Sequence, residues 1–401
     1  VVESNKKHFC IRPFNSGRIG PRGEIDICCA IKSSKTKFKD FKPFNIKNTD
    51  IKTWWNSDYL KYVRQSFLND RKLPECSQCW KYEELGLSSD RTRANIDHKA
   101  IFQNKYETNL KRIKKYDLDF PEFMELQITN LCNLKCQMCG GSESSRLLVE
   151  NNALGFENLK QKDYDLDEEH YKKIKDMVKH DLNMLSLLGG EPLFNKKVIK
   201  LLSLLVENGK SKNIKLHITT NGTICNDDIL QILKQFKDIR LMLSMEGVEK
   251  CNEYMRFPSN WDELRKNILK FKTLDNTYIY INSVVQNLNI LYLDKLIDFS
   301  NDNNFYINLD PIIKPDYLNM LNLPKELLEE AHSRLSNVEE EKIIHSENVK
   351  RIVAILETHI REGALDKNKY QEFVSMIKKR DNYRKVHIKD YMPELAEVIY
   401  K

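Results

Sequence analysis

The stretch TNLCNLKCQMCGG packs three cysteines, Cys132, Cys136 and Cys139, into the spacing C-x3-C-x2-C. A closed structural metal site takes four protein ligands, and each iron of a four-iron cubane needs a terminal ligand. Three thiolates leave one position over. Either a fourth ligand comes from elsewhere, or that position is kept open for chemistry. A second set is spread over the first eighty residues: Cys10, Cys28, Cys29 and the C-x2-C pair Cys76 and Cys79. Ten cysteines are few for a disulfide scaffold of 401 residues, and they come in short clusters. With no apolar h-region after VVESNKKHFC and hence no visible signal peptide, they read as metal binding in a reducing cytoplasm.

The elements that must position these residues follow from hydropathy patterning. Residues 1–118 are cysteine- and aromatic-rich, with turn signals in NSGRIGPRGE, a helical stretch in WWNSDYLKYVRQSFLND and a charged helical connector from Lys99 to Tyr116. From Phe120 short strand-like runs alternate with helix-length amphipathic segments. The runs are MELQIT, MLSLLGGE, KLHITTNG, IRLMLSMEG, TYIYINSVVQN and FYINLDP. Six such units predict repeated β-α pairs and a parallel sheet. Strands buried on both faces would be apolar throughout, but several of these alternate. Glu125 and Gln127 share one face, as do His217 and Asn221, Ser244 and Glu246, and Asn308 and Asp310. A polar face toward a common lumen predicts a partial (β/α)6 TIM-like barrel within an α/β fold; the alternative is an ordinary sheet with one solvated face. Residues 319–401 read as a helical extension, with Pro393 opening the last helix.

Composition excludes little. The net charge of +7 comes from 65 basic residues scattered among 58 acidic ones, a solvated mixed surface and not a nucleic-acid footprint. No apolar run approaches the ~20 residues of a membrane span.

Four motifs at strand ends carry a family resemblance. The triplet, GGEP (Gly189, Gly190, Glu191, Pro192), TNG ending at Gly222 and SMEG from Ser244 together resemble the radical S-adenosylmethionine (SAM) enzymes over residues 120 to about 315. The resemblance implies that Cys132, Cys136 and Cys139 bind a 4Fe–4S cluster whose open iron chelates SAM. It places Met138 beside adenine, GGEP on the SAM amino group, Asn221 near the ribose, Ser244 and Arg256 on the carboxylate and Asn287 near SAM. An arginine suits a carboxylate because its planar fork reaches both oxygens. The implied chemistry is reductive cleavage of SAM to a 5′-deoxyadenosyl radical, fed by a flavodoxin- or ferredoxin-type electron donor.

The spacing C-x12-G-x4-C from Cys10 through Gly23 to Cys28, with WWNS beyond it, resembles the auxiliary-cluster domain called SPASM or its shorter form, twitch. That implies one auxiliary 4Fe–4S cluster on Cys10, Cys28, Cys76 and Cys79, in a domain that here precedes the barrel. Cys29 competes with Cys28, and a four-cysteine zinc site suits the C-x2-C pair equally. Enzymes with such domains act mostly on peptides, which makes a peptide or protein the expected substrate and a small metabolite the alternative; a non-catalytic metal protein on the same fold is a third reading. Glu125, Gln127, His217, Glu246 and Asp310 are candidates for substrate contact or proton transfer. Cys225 and Cys251 are either hydrogen-atom donors or packing residues. Ser88, Ser89, Arg91 and Arg93 either line substrate or begin a helix.

Overall fold

The computed structural model describes residues 6–39, 41–84, 86, 88–101, 120–158, 166–312, 314–338 and 347–400. Most of the expected connector at 99–116 lies outside them. Six strands occupy the expected places in chain order: β3 (Phe123–Leu126), β4 (Met184–Leu187), β5 (Lys215–Thr220), β6 (Asp238–Ser244), β7 (Thr277–Val285) and β8 (Tyr306–Pro311). Each pairs in parallel with the next, and helical segments lie between them, which makes the partial (β/α)6 barrel.

Two strands were not foreseen. Ser16–Ile19 (β1) pairs in parallel with β3, and Ile25–Asp26 (β2) closes a hairpin on it, so the sheet runs β2-β1-β3-β4-β5-β6-β7-β8. The turn signals in NSGRIGPRGE are this hairpin: Gly20 N–H donates to Glu24 O (2.8 Å), and Gly23 takes φ +86°, a conformation glycine adopts at no steric cost.

The alternation of the strands is real. Leu216, Ile218, Leu241, Leu243, Ile279, Ile281, Ile307 and Leu309 are buried toward the helices. The opposite, inner face is partly open. The register sets Arg18, Glu125, Ser186, His217, Arg240 and Tyr278 in one row across six strands. Two residues further along, Thr219, Met242, Tyr280 and Tyr306 form a second row. Ser244, Asn282 and Asn308 follow as a third.

The helices show why these sequences curl onto the sheet. The helix Lys196–Glu207 buries Val198, Leu201, Leu202 and Leu205, a one-face 3.6-residue stripe. Asn195 caps it by accepting from Lys197 N–H (2.7 Å) and Val198 N–H (3.4 Å). Each fully buried leucine of that stripe contributes roughly 1.5–3 kcal/mol.

The remaining helices used below are α1 (Ile51–Trp55), α2 (Asp58–Leu68), α3 (Ser77–Glu84), α4 (Asp90–Ile101), α5 (Ser145–Ala153), α6 (Glu249–Met255), α7 (Glu347–Glu362), α8 (Lys367–Arg384) and α9 (Pro393–Ile399). The helical stretch expected around WWNS is thus two helices, split where Ser57 accepts from Leu60 N–H to cap α2. Trp54, Trp55, Leu60, Val63 and Phe67 form its core. The Arg64 guanidinium lies 4.2 Å from the Trp55 ring centroid and donates to Pro13 O.

Candidate active site

Beyond β3 the chain forms the cysteine loop. Its ends are tied by polar side chains: Ser144 Oγ donates to Leu134 O (2.7 Å), and Asn130 Nδ2 to Gly141 O (3.1 Å). Its middle is laid against residues 255–257, where Lys135 N–H donates to Phe257 O (2.6 Å) and Gln137 N–H to Met255 O (2.8 Å). Cys132 and Cys136 are buried and Cys139 half-buried, and none is in a disulfide. Met138 packs against Cys132, Leu134 and Cys136.

GGEP sits directly on this loop. Gly189 and Gly190 have φ +86° and +55°. A Cβ on Gly190 would overlap the carbonyl of Leu131, and one on Gly189 would overlap the Gln127 side chain. Glu191 N–H donates to Leu131 O (2.9 Å). The buried Glu191 carboxylate accepts from Leu193 N–H (3.1 Å), Thr220 Oγ1 (2.8 Å) and Asn221 N–H (2.7 Å). Its oxygens tie GGEP to the TNG turn, and burial still pushes its pKa up. Asn221 in turn donates to Asn133 Oδ1 (3.0 Å), returning to the cysteine loop.

The third corner is Arg256. Both oxygens of the buried Glu246 accept from its Nε and Nη2, and its Nη1 lies 3.6 Å from Cys136 Sγ. The Cys136 thiol is held below its usual pKa, first by the hydrogen bond from Cys139 and then, against burial, by Arg256 and Arg384. Cys139 is correspondingly raised, and burial pushes Cys132 up to about 12. Ser244 ends β6 on the inner face. Asn287 is fully buried; its amide donates to Tyr317 O (2.8 Å), and its Oδ1 has no partner among the described residues.

The five proton-transfer candidates do not converge. Arg18 joins Glu125 and Gln127 (both 2.8 Å), and Gln127 Nε2 continues to Glu143 (2.6 Å). His217 shares their row across Ser186. Its pKa is lowered to about 4 by burial, then by Arg240 and Lys215. Glu246 is committed to Arg256. Asp310 lies toward the far edge of the sheet, exposed, accepting from Asn308 (2.6 Å) and 3.6 Å from Arg351. Arg18 and Glu143 were missed by sequence reasoning; both lie in turn-rich segments without a strand pattern to assign them a face.

In the N-terminal region Cys10 and Cys79 are buried, Cys28 and Cys76 half-buried, and Cys29 exposed. Burial raises the pKa of each of the four; Cys10 rises to about 12. They are also electrostatic neighbours: Cys10 acts on Cys28 and Cys76, and Cys79 on Cys10 and Cys76. Arg12 pairs with Asp90 (2.6 Å) beside them. Arg91 pairs with Glu83 (2.5 Å) and donates to Phe9 O. Ser89 accepts from Thr92 N–H in the first turn of α4. The segment starts a helix, with Ser89 and Arg91 buried rather than solvated. Cys251 packs with its Sγ 3.9 Å from Met255 Sδ.

Among the described residues no three His, Cys, Asp or Glu are gathered as a single metal ion requires. The donor set nonetheless has the chemistry of an iron–sulfur cluster, whose thiolates bind separate irons. Three free thiols on one loop with a buried guanidinium beside the middle one fit that group.

Residues 126–299 match the Radical SAM superfamily, and residues 10–80 match the iron–sulfur cluster-binding domain SPASM. The GTP 3′,8-cyclase of Campylobacter fetus is 24% identical over 254 residues, 62% of this chain and 73% of that protein. The same enzyme of Syntrophomonas wolfei is 26% identical over 44% of this chain and 50% of its own length. Among solved structures, anSMEcpe with bound AdoMet overlaps 55% of this chain and 60% of its own at 17% identity and TM-score 0.41. Streptococcus suis SuiB bound to its precursor peptide SuiA overlaps 87% and 70%, at 17% identity and TM-score 0.37. Among the described residues no helix is long and apolar enough to cross a membrane. The chain is a radical SAM enzyme with a SPASM domain ahead of its radical SAM domain, and its cofactors are SAM, a 4Fe–4S cluster and an auxiliary iron–sulfur cluster.

Proposed function

We propose that this enzyme abstracts hydrogen from a peptide or protein side chain, with the N-terminal cluster taking up or supplying an electron. Residues 1–118, 119–318 and 319–401 are read as the auxiliary-cluster domain, the radical SAM core and a helical extension. Cys132, Cys136 and Cys139 hold the first cluster; Cys10, Cys28, Cys76 and Cys79 hold the second. When bound, the first cluster and SAM supply an electron and a 5′-deoxyadenosyl radical. The chain's residues do the rest. GGEP offers main-chain carbonyls to the SAM amino group, and Glu191 keeps them in place. Met138 packs the adenine, Asn221 and Asn287 offer hydrogen bonds, and the carboxylate is taken by Ser244 with the Nη1 side of Arg256, whose Nε and Nη2 are held by Glu246. A flavodoxin- or ferredoxin-type protein delivers the electron.

One observation carries the choice of substrate. The open inner face is lined by amides and tyrosines: Asn282 and Asn308 are hydrogen-bonded (2.7 Å), and Tyr280 lies 6.2 Å from both Tyr278 and Tyr306. Two of its cations are paired, Arg18 with Glu125 and Lys215 with Asp238 at 3.8 Å, and Arg240 stands singly in the row rather than in a cation cluster. A nucleoside triphosphate calls for clustered, free cations; an extended amide chain calls for the donors and acceptors seen here.

The test is anaerobic. The chain is reconstituted with iron and sulfide and reduced, and 5′-deoxyadenosine is followed with a peptide library, GTP and amino sugars in turn. About eight irons per chain, as two cubanes, and peptide-stimulated deoxyadenosine are expected. Stimulation by GTP or a sugar alone would overturn the peptide reading. Four irons with retained zinc would overturn the second cluster.

A further inference from the structure

Helix α8 lies outside both segments that match known domains, yet it is built into the cysteine loop. Its buried stripe is Phe373, Met376, Ile377, Arg380, Asp381 and Arg384. The stripe turns from apolar to charged where it meets the loop. Arg380 Nη1 donates to both the main-chain O and the Oε1 of Gln137 (2.8 Å each), and its Nη2 to Asn151 Oδ1 (3.2 Å). Arg384 Nη2 donates to Lys135 O (2.7 Å) and its Nε to Glu150 (2.9 Å). Glu150 also accepts from Lys135 Nζ (3.0 Å). Between the two arginines, Asp381 accepts from Tyr254 Oη (2.7 Å), two residues before Arg256.

These contacts are costly to build. Taking an ion out of water is unfavourable unless its partners compensate, and Arg380, Arg384 and Glu150 are all nearly inaccessible. Lys135 precedes Cys136 and Gln137 follows it, so the two arginines hold the peptide carbonyls on both sides of the middle cysteine from behind. The charges here are close to balanced: Lys135, Arg256, Arg380 and Arg384 are set against the buried carboxylates of Glu150, Glu246, Asp381 and Glu191.

We propose that Arg380 and Arg384 are positioning residues of the radical SAM cluster: α8 fixes the peptide planes around Cys136 from behind the loop. This rests on the triplet being the cluster's ligands.

The variants are Arg380→Gln, Arg384→Gln, their double and the charge-conserving Arg384→Lys. Peptide-resolved hydrogen exchange on the metal-free chain comes first, because it needs no cluster. In the double variant, exchange across residues 132–139 should rise about tenfold or more while the N-terminal helices keep their protection. The reconstituted double variant should show an altered electron-paramagnetic-resonance spectrum for the reduced first cluster and a lower turnover for SAM cleavage, with KM for SAM changed less. Arg384→Lys should restore the spectrum in part. An unchanged loop with an unchanged spectrum overturns the proposal, as does exchange that rises equally everywhere. If Cys136→Ala leaves the iron content of the wild-type chain intact, the ligand reading fails and this inference fails with it.

Discussion

The two cysteine sites solve opposite problems. The cysteine loop draws three thiols from one short run, and local chain geometry alone would leave such a run mobile. It is therefore clamped from outside, by residues 255–257, by GGEP and by α8. The N-terminal set is drawn from Cys10 to Cys79, across a hairpin, an aromatic core and a helix. There the proposed ligands are separated by long stretches of chain. On the proposed ligand sets the difference teaches where the metal's binding energy goes: in the loop it completes a site that already has its shape, and in the N-terminal region it closes long chain loops and becomes folding energy.

The largest effect that could break this contrast is chemical. Cys136→Ala should lower deoxyadenosine formation by on the order of 10³-fold or more and remove about four of about eight irons, with little change in melting temperature. Retained cleavage would refute its ligand role. Next, Cys76→Ala should also lose about four irons but cost about 3–5 kcal/mol in the N-terminal region, the scale of losing a cross-link over a loop of tens of residues. Denaturant unfolding followed by tryptophan fluorescence reads this directly, since Trp54, Trp55 and Trp80 all lie there. Equal destabilisation by the two alanine variants would erase the contrast.

A smaller effect sharpens the description of the loop as preshaped. Gly190→Ala must bend a left-handed turn that rests on Leu131. About 1–3 kcal/mol of strain should appear as a raised KM for SAM with near-normal iron content. The smallest effect concerns the inner face of the sheet. His217 is lowered to about 4 in the folded chain, against ~6.5 unfolded. Between those values the unfolded chain binds a proton that the folded one refuses, so this share of stability is complete above about pH 6.5 and is lost as pH falls toward 4. Urea midpoints at pH 7.5 and 5 should differ less for His217→Gln than for the wild type.

Legibility in the sequence followed the range of the interactions. The six barrel strands could be placed because Leu216 and Ile218, or Ile279 and Ile281, alternate with polar partners and the period states the face. Strand β1 could not. Its four residues carry no period of their own, and they become a strand only because β3 offers an edge. The four site motifs were visible as short runs, but their mutual bonds were not: nothing in GGEP shows that Glu191 is spent on Asn221. Arg380 and Arg384 did leave a signal, as arginines continuing the stripe of Phe373 and Ile377. Charges on an apolar stripe mean a buried polar partner, although which partner depends on residues more than two hundred positions away.

The pairing of β1 with β3 also sets an order of events during synthesis. Arg18 waits for Glu125, 107 residues later in the chain. At about 5–20 residues per second, that is roughly 5–20 s in which the N-terminal hairpin has no neighbour on one side. An unpaired edge is a template for other chains, so over that interval the nascent hairpin is open to pairing with a neighbour other than β3.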